Sequence, residues 1–416
     1  MVRSFAILWK QFCCLQGCSV ALLLSGLLAS SQAQVPTTIT PDGTVGTAVT
    51  QQGHVYTIMG GTRPGNGPNL FHSFDRFSIG TGDTARFTGP TGIENILSRV
   101  TGGQQSMIDG LLRSEILGAN LYLLNPGGVL FGPNARLDVS GSFHVSTADF
   151  LRLSDGSTFS ADLAQKSTLT VAPPSAFGFL GNNPAPIAVQ GSVLQVLAGE
   201  TLSLVGGDIQ IADGVLRAPG GHVHIASVAS RGEVVAHGLR LAPDLEVTSF
   251  AKLGTVHVSQ SPAARQGGNR TANIDVSGQG GGTVVIRGGQ LMVDRAVVAA
   301  DTFGETNGSR IDIKVTDEVA ISNGGLIRTG TQSRGRAGDI EAQGQRLRLT
   351  EGSQLDSSTR GAGSGGDMTI TATDTISVSG QDNQGNPSGF YSRSLSNGNA
   401  GTVARGTPGA RRHVWL

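Results

Sequence analysis

The chain has 416 residues, 30 basic and 30 acidic residues, and 62 glycines, about twice the average share. The zero net charge excludes the basic excess that nucleic-acid-binding proteins carry, and the missing Gly-X-Y period excludes collagen. Only 14% of the residues are charged, while Thr, Ser, Val and Ile are abundant. This composition predicts an all-β chain with many tight turns.

Residues 1–33 have the features of a secretory signal peptide. Arg3 and Lys10 precede an apolar run at 20–29, and a small-x-small pattern ends at Ala33. The run is too short to span a bilayer, which disfavours a signal anchor. All three cysteines lie in this segment, at Cys13, Cys14 and Cys18. Either the mature chain has enough core without disulfides, or it crosses a second membrane unfolded, where a closed disulfide loop would be an obstacle.

The segment Leu70, Phe71, His72, Ser73 and Phe74 alternates apolar or aromatic with polar side chains. As a strand, it would place Phe71 on one face with Ser73 and Phe77, and His72 on the other face with Phe74. We interpret His72 as a structural histidine and not as a ligand. Further along, residues 106–117 have a helix-like periodicity, but the flanking glycines and strand-like runs argue for strands there.

A second motif reads NPGGVLFGPN at residues 125–134. Pro126 suits position i+1 of a turn, Gly127 can supply the positive φ of a type II turn, and Asn125 can cap the turn through its side chain. Phe131 is expected in the core. The residues that define the motif are Asn125, Pro126, Gly127, Gly128, Phe131, Gly132 and Asn134.

The C-terminal half repeats with a period of 28 or 29 residues, which is typical of a solenoid. One repeat contains three short strands, Asp339–Ala342, Arg346–Leu349 and Gln354–Asp356. The repeat aligns Leu326 with Leu355, Asp339 with Asp367, Leu349 with Val378 and Ile311 with Ile340. We therefore expect a right-handed parallel β-helix with glycine-rich corners. A β-propeller fits this period badly, because its blades have about 40 residues or more.

The last residues depart from the repeat. Residues 392–403 begin another coil, whereas 404–416 are basic and do not alternate. A terminal coil with an open edge invites aggregation. We expect a truncated gene product, a frame change or an excised fragment, with a genuine short basic tail as the alternative.

No motif predicts catalysis, a cofactor or a metal. There is no G-x-S-x-G sequence, and the mature chain has no thiol nucleophile. His222 and His224 share one face of a strand, and without a third ligand nearby they are interpreted as a solvent-facing pair. The aspartates close to turns lack the nonapeptide of calcium-binding β-rolls; they are Asp208, Asp213, Asp275 and Asp339.

Over residues 70–149 the motifs resemble the N-terminal domain of filamentous haemagglutinins, the two-partner secretion exoproteins, and cyanobacterial members are the most similar. The family pattern is an LFHSF-like strand, then S-x-I-D-G (here residues 106–110), then N-P-N-G-I-x-F-G-x-N. The chain departs from it at Gly127, where the family has Asn. Because both residue types tolerate left-handed turns, the turn is expected to remain.

The resemblance implies a secreted or surface-exposed, adhesin-like exoprotein that passes the periplasm and is exported by an Omp85-type outer-membrane transporter, a transient partner. Outside, it would bind through its β-helix surface, and the host, glycan or cell-surface ligand is not identified by the sequence. No nucleic-acid partner is expected because the charge is balanced, and no stable membrane insertion is expected. In the family the Asn and its turn matter for export. Asn125 is therefore expected either to contact the transporter or only to build the turn.

We expect a signal peptide at 1–33, a secretion domain with a capping region at 34–180, β-helix repeats at 181–391, and an incomplete coil with a basic tail at 392–416. Two alternatives stay open. One is a β-helix enzyme acting on polysaccharides, which the few mature lysines and the missing repeated acidic cluster disfavour. The other is the truncated delivery end of a large toxin or contact-inhibition protein.

Overall fold

The computed structural model describes residues 36–237, 244–263 and 271–406. These residues belong to one compact unit, residues 35–416. The predicted signal peptide and the basic residues after Gly406 lie outside the described ranges. Within those ranges, no helix is long and apolar enough to cross a membrane.

The described residues form 34 β-strands and one 3₁₀ turn, Pro64–Asn66, with no α-helix. The strands are β1 (Thr38–Pro41), β2 (Thr47–Gln52), β3 (Val55–Gly60), β4 (Asn69–Ser78), β5 (Thr84–Phe87), β6 (Asn95–Val100), β7 (Ser106–Ile108), β8 (Leu111–Ser114), β9 (Asn120–Leu124), β10 (Val129–Phe131), β11 (Arg136–Asp138), β12 (Phe143–Ser146), β13 (Phe150–Leu153), β14 (Thr158–Ser160), β15 (Pro174–Phe179), β16 (Ile187–Gln190), β17 (Val193–Gln195), β18 (Thr201–Gly206), β19 (Ile209–Ala212), β20 (Val215–Arg217), β21 (His222–Ser227), β22 (Gly232–His237), β23 (Asp244–Glu246), β24 (Thr255–Ser259), β25 (Ile274–Asp275), β26 (Thr283–Asp294), β27 (Val297–Ala299), β28 (Arg310–Ser322), β29 (Leu326–Arg328), β30 (Asp339–Thr350), β31 (Gln354–Asp356), β32 (Met368–Ser379), β33 (Gly389–Tyr391) and β34 (Val403–Gly406).

Four sheets contain these strands. The large sheet has 17 strands and runs through the coils from β4 to β34, with β1 paired antiparallel to β4 at its start. A second solenoid face is formed first by the N-terminal side sheet (β2, β3, β5, β8, β11) and later by the C-terminal side sheet (β17, β20, β25, β27, β29, β31, β33). The outer sheet (β13, β14, β15, β22, β23) is antiparallel. The predicted all-β chain with a parallel β-helix is confirmed.

Parallel pairing in register produces the predicted period. Ile311 lies opposite Ile340, and Leu349 lies opposite Val378, steps of 29 residues. The predicted alignment of Leu326 with Leu355 is wrong by one position, because Leu355 pairs with Ile327. Ile327 is the fully buried residue that points into the solenoid, whereas Leu326 is only partly buried.

Two of the predicted strands of this repeat are one continuous strand. Asp339–Ala342 and Arg346–Leu349 both belong to β30, whose register shifts between Gly344 and Arg346. Inward residues on both sides of the shift, such as Ile340 and Leu347, belong to the same solenoid core. The third predicted strand, Gln354–Asp356, is confirmed. Residues 106–117 also contain strands, β7 and β8, as expected.

The first coils are shorter, and two insertions interrupt their succession. Phe143 in β12 pairs with Leu202 in β18, and Val223 in β21 pairs with Val284 in β26. The residues between the paired strands include those of the outer sheet, which covers outward-facing side chains of the large sheet. A second apolar core results, in which solenoid residues meet outer-sheet residues; it includes Phe71, Leu97, Tyr122, Val205 and Val285 from the solenoid, and Leu151, Phe159, Phe177, Val234 and Leu245 from the outer sheet.

Strand pairing extends into the residues after 392. Ser394 forms a bridge with Thr359, and β34 pairs Val403 with Met368. The strand continues to Gly406, three residues further than the sequence pattern indicates. The division predicted at residue 180 stays a prediction.

The corner glycines let successive coils approach each other, and this yields a test. A Cβ on Gly366 would lie 1.8 Å from the carbonyl oxygen of Gly338 in the neighbouring coil. Gly366→Ala is expected to lower the free energy of unfolding in urea by about 1–3 kcal/mol or more, because the coils must separate. Gly181→Ala is the matched control, since a Cβ there meets nothing within 4 Å. Equal stability of the two variants would contradict close coil packing.

Candidate functional site

The motif at 125–134 surrounds β10, which lies parallel to β7 of the preceding coil. Val129 is opposite Ser106, and Phe131 is opposite Ile108. Phe131 is fully buried and contacts Phe143 edge to face, with ring centroids 6.2 Å apart. The S-x-I-D-G segment therefore provides the strand in the preceding coil with which the second motif pairs.

Asn125 fixes the turn that precedes β10. Its side chain is fully buried. Its Oδ1 accepts a hydrogen bond from the Gly127 N–H (2.8 Å), and its Nδ2 donates to the Gln104 carbonyl (2.9 Å) and to the Ser106 Oγ (2.8 Å). The Gly128 N–H donates to the Asn125 carbonyl (3.0 Å) and closes the turn. One side chain thus caps its own turn and joins it to the preceding coil.

The predicted role of Gly127 is wrong. The positive φ of this turn lies at Gly128 (102°), so the turn is not type II with Gly127 at i+2. Glycine at 127 is required by proximity instead. A Cβ there would lie 2.8 Å from the carbonyl carbon and oxygen of Gln104 in the preceding coil.

Hydrogen bonds to Asp109 hold the other end of the motif. The Asn134 N–H donates to Asp109 Oδ1 (2.8 Å), its Nδ2 donates to Oδ2 (3.1 Å), and the Thr81 hydroxyl also donates to this carboxylate. Burial acts to raise the pKa of Asp109, but these hydrogen bonds hold it below the ordinary value. A Cβ on Gly132 would lie 2.5 Å from Asp109 Oδ1, so glycine leaves the space for this contact.

The first motif lies on β4 and divides between two cores. Leu70 and Phe74 belong to the solenoid core, while Phe71 faces the outer sheet and contacts Phe159 at 5.0 Å. Ser73 also faces outward, where its hydroxyl donates to Asp42.

His72 points toward the solenoid interior. It is fully buried, stacks against Phe74, and has Nδ1 3.3 Å from the Thr47 hydroxyl. Burial lowers its pKa to about 4. Phe77 lies in the same core as Phe74, so the predicted grouping with Phe71 is wrong; the register shift of β4 against β1 near Phe74 reverses the alternation.

A ladder of asparagines, which the sequence analysis missed, links the same coils. Asn95 Nδ2 donates to Asn69 Oδ1, and Asn120 Nδ2 donates to Asn95 Oδ1, both at 3.0 Å. Asn69 also donates to the carbonyls of Thr170 and Ala172, 3.0 and 2.7 Å away. The signal was present in the sequence, since each asparagine opens an apolar strand: NLF, NIL and NLY.

Arg99 is a second missed residue. It is 3% exposed and lies over the Phe159 ring at 4.5 Å. Its Nε donates to Ser73 Oγ (2.7 Å) and its Nη2 to Thr44 Oγ1 (3.0 Å). Desolvation lowers the pKa of Arg99, and the charge of Asp42 opposes this. One guanidinium therefore joins the N-terminal cap, the first coil and the outer sheet.

The comparisons with known proteins agree with this geometry. The TPS secretion domain family matches residues 37–286. The chain belongs to this family. The crystal structure of the HMW1 secretion domain from Haemophilus influenzae has a TM-score of 0.57 at 14% identity, over 90% of this chain and all of that one, which shows a common fold. The filamentous hemagglutinin secretion domain matches at 14% identity over 88% of this chain and 99% of that one, with a TM-score of 0.35.

A curated relative is the heme/hemopexin-binding protein of Haemophilus influenzae, 36% identical over 85 residues. The match spans 20% of this chain and 9% of that protein. The resemblance to two-partner secretion exoproteins is confirmed. Proteins with a TPS secretion domain are secreted through the outer membrane.

Buried histidines lie between the solenoid of this secretion domain and its outer sheet. His144 stacks on Tyr122 at 4.3 Å, and its Nδ1 is 2.8 Å from Ser203 Oγ. His224 is 2% exposed, so the predicted solvent-facing pair is wrong: His222 is half-buried and His224 is buried. Within the described ranges, no group of three or more His, Cys, Asp or Glu residues is placed to hold a metal.

The contribution of the Asn125 turn to the fold can be tested by measuring the free energy of unfolding of the protein. Asn125→Ala removes the side-chain contacts with Gly127, Gln104 and Ser106, and leaves buried groups unpaired. The free energy of unfolding is expected to fall by about 2 kcal/mol or more. Asn397→Ala, in an exposed corner, is the matched control and is expected to stay within about 0.5 kcal/mol. A similarly small effect for Asn125→Ala would show that the hydrogen bonds of Asn125 do not stabilise the fold.

The buried histidines predict acid sensitivity. Burial lowers the pKa of His144 and of His224 to about 3, and the charges of His222, His144 and Arg287 add to the effect at His224. The unfolded chain protonates first, so stability is fully present above about pH 6.5 and is lost as the pH falls toward the folded values. At about pH 5 each buried histidine costs about 2 kcal/mol.

His224→Leu is therefore expected to shrink the loss of unfolding free energy between about pH 7.5 and pH 5 by about 2 kcal/mol. The control is Val285→Ala, because Val285 lies opposite His224 on the neighbouring strand β26. It is expected to lower stability equally at both pH values. An unchanged pH dependence in His224→Leu would show that this histidine is charged in the folded protein.

Proposed function

We propose that this protein is exported across the outer membrane by an Omp85-type two-partner secretion transporter and acts outside the cell as an adhesin-like protein through the surface of its β-helix. The observation that carries the proposal is the match of residues 37–286 to the TPS secretion domain. The turn held by Asn125 supports it, because that turn stands where the family has its export motif.

The burial of Asn125 favours recognition of the unfolded chain. In the folded coil its side chain is fully buried and its amide is hydrogen-bonded to Gly127, Gln104 and Ser106. A transporter that contacts this amide must therefore meet it before the coil forms. Asn125 then has two successive roles, recognition in the periplasm and turn formation outside.

Coil stacking supplies a direction to export. Each strand of the solenoid finds its hydrogen-bonding partner one coil earlier, as β30 does on β28 and β32 on β30. A coil that folds outside removes its apolar side chains from water, and this opposes return through the pore. Folding by successive addition is the known behaviour of solenoids.

The outward surface of the last coils carries ion pairs between coils, such as Arg346 with Asp317 and Arg348 with Glu318. The haem binding named for the Haemophilus relative is not part of the proposal. The matched stretch covers 9% of that protein, and the buried imidazoles of His72, His144 and His224 are closed to a ligand from solution.

Export can be measured with two variants of different location. In cells that make the cognate transporter, Asn125→Ala is expected to leave most of the protein in the periplasm. Gly366→Ala disturbs one coil contact far from the motif and leaves the stacking of the earlier coils intact, so it is expected to reach the medium in a ratio close to that of wild type. The measurement is the medium-to-periplasm ratio by quantitative immunoblot.

Two outcomes would sink the proposal. Export of wild-type protein in the absence of any such transporter would show that another route is used. Equal retention of both variants would show that fold stability governs export and that the transporter does not read Asn125.

A further inference from the structure

An open groove of about 460 Å³ crosses the outward face of the C-terminal side sheet. It contains none of the residues of the two secretion motifs. The side chains that matter for its chemistry are Arg217, Asp275, Ser277, Asp301, Phe303 and Arg328.

The charged side chains of the groove come from successive coils of the C-terminal side sheet. In register, Arg217 lies opposite Asp275, Asp275 opposite Ala299, and Ala299 opposite Arg328. Strands in a sheet are about 4.8 Å apart. Ala299 is 1% exposed and does not line the groove, which is bounded by the charged side chains on the strands before and after it.

Two ion pairs line the groove. Arg217 Nη2 donates to Asp275 Oδ2 at 3.2 Å, and Arg328 Nε is 2.9 Å from Asp301 Oδ2. The Gly330 N–H donates to Asp301 Oδ1 at 3.0 Å, which fixes this carboxylate, only 7% exposed. Each guanidinium has five N–H donors, so a guanidinium that pairs with one carboxylate has further N–H groups that can donate to a ligand. The four charges sum to zero.

An aromatic ring stands beside the groove. Phe303 is 49% exposed, and among the exposed large apolar side chains of the described residues it is the only aromatic one. It follows Thr302, which is in register with Thr331, Thr359 and Ser394 of the next coils. The residues after those three are Gln332, Arg360 and Leu395, so the ring occurs in this column only next to the groove.

We propose that this groove binds a neutral oligosaccharide. Phe303 stacks against the apolar face of one sugar ring, and the Arg217–Asp275 pair provides a donor and an acceptor for neighbouring hydroxyls. The zero net charge of the lining matches an uncharged ligand, and the open shape accommodates a chain. The inference deepens the proposed adhesin-like role and rests on it for its biological meaning, but not for its test.

The test uses purified full-length protein, so a failure of export does not affect it. Binding is measured on an array of immobilised neutral oligosaccharides of glucose, galactose and mannose, with sialylated and sulfated oligosaccharides as further arms. Wild type is expected to bind at least one neutral arm, with little dependence on salt. Phe303→Ala and Asp275→Asn are each expected to weaken that binding about tenfold, since each removes one principal contact.

Matched controls occupy equivalent surfaces outside the groove. Leu395→Ala removes the exposed apolar side chain at the same corner position of a later coil. Glu305→Gln neutralises one partner of the exposed Arg334 ion pair. Both are expected to bind as wild type does.

Binding to no neutral arm, or to acidic arms alone, would overturn the proposal. Unchanged binding by both groove variants would also overturn it. Release of new reducing ends from a bound oligosaccharide would replace a binding site with a catalytic one.

Discussion

Axial stacking is the constraint on which the rest of this molecule depends. A single coil cannot satisfy its own backbone hydrogen bonds or bury its apolar residues, so each coil is stable only on the one before it. The inward residues accordingly form one continuous core from Ile39 to Ile370. The same constraint explains the corner glycines. At Gly366 a neighbouring backbone occupies the place where a Cβ would stand.

Stacking alone does not fix the register of adjacent coils, and polar contacts between coils do so in the secretion domain. Asn69, Asn95 and Asn120 pair along the axis, while Asn125 and Asp109 join the two motif segments across one rung. A one-residue slip would break these contacts and turn the inward residues outward. The motif residues thus build the architecture of the first coils.

The sequence predicted the solenoid because its period and its alternation follow directly from stacking. It could not predict features set by contacts between distant segments. The outer sheet joins β15 to β22, and residues of both insertions pack on the outward side of the large sheet, so a strand pattern alone assigned the His222 and His224 pair to solvent. The glycine at 127 was explained by backbone conformation, whereas the backbone at Gln104 of the preceding coil is the cause.

The central claim is that the chain crosses the outer membrane unfolded and that its coils assemble afterwards. Ala176 and Val235 lie opposite each other in β15 and β22, where Cβ atoms are about 4.5–5.5 Å apart, within reach of a disulfide after small shifts. With both Ala176→Cys and Val235→Cys, the protein is predicted to stay in an oxidising periplasm and to reach the medium when a reductant is added, while either single variant is exported normally. Export of the doubly substituted protein with its disulfide intact would contradict the account.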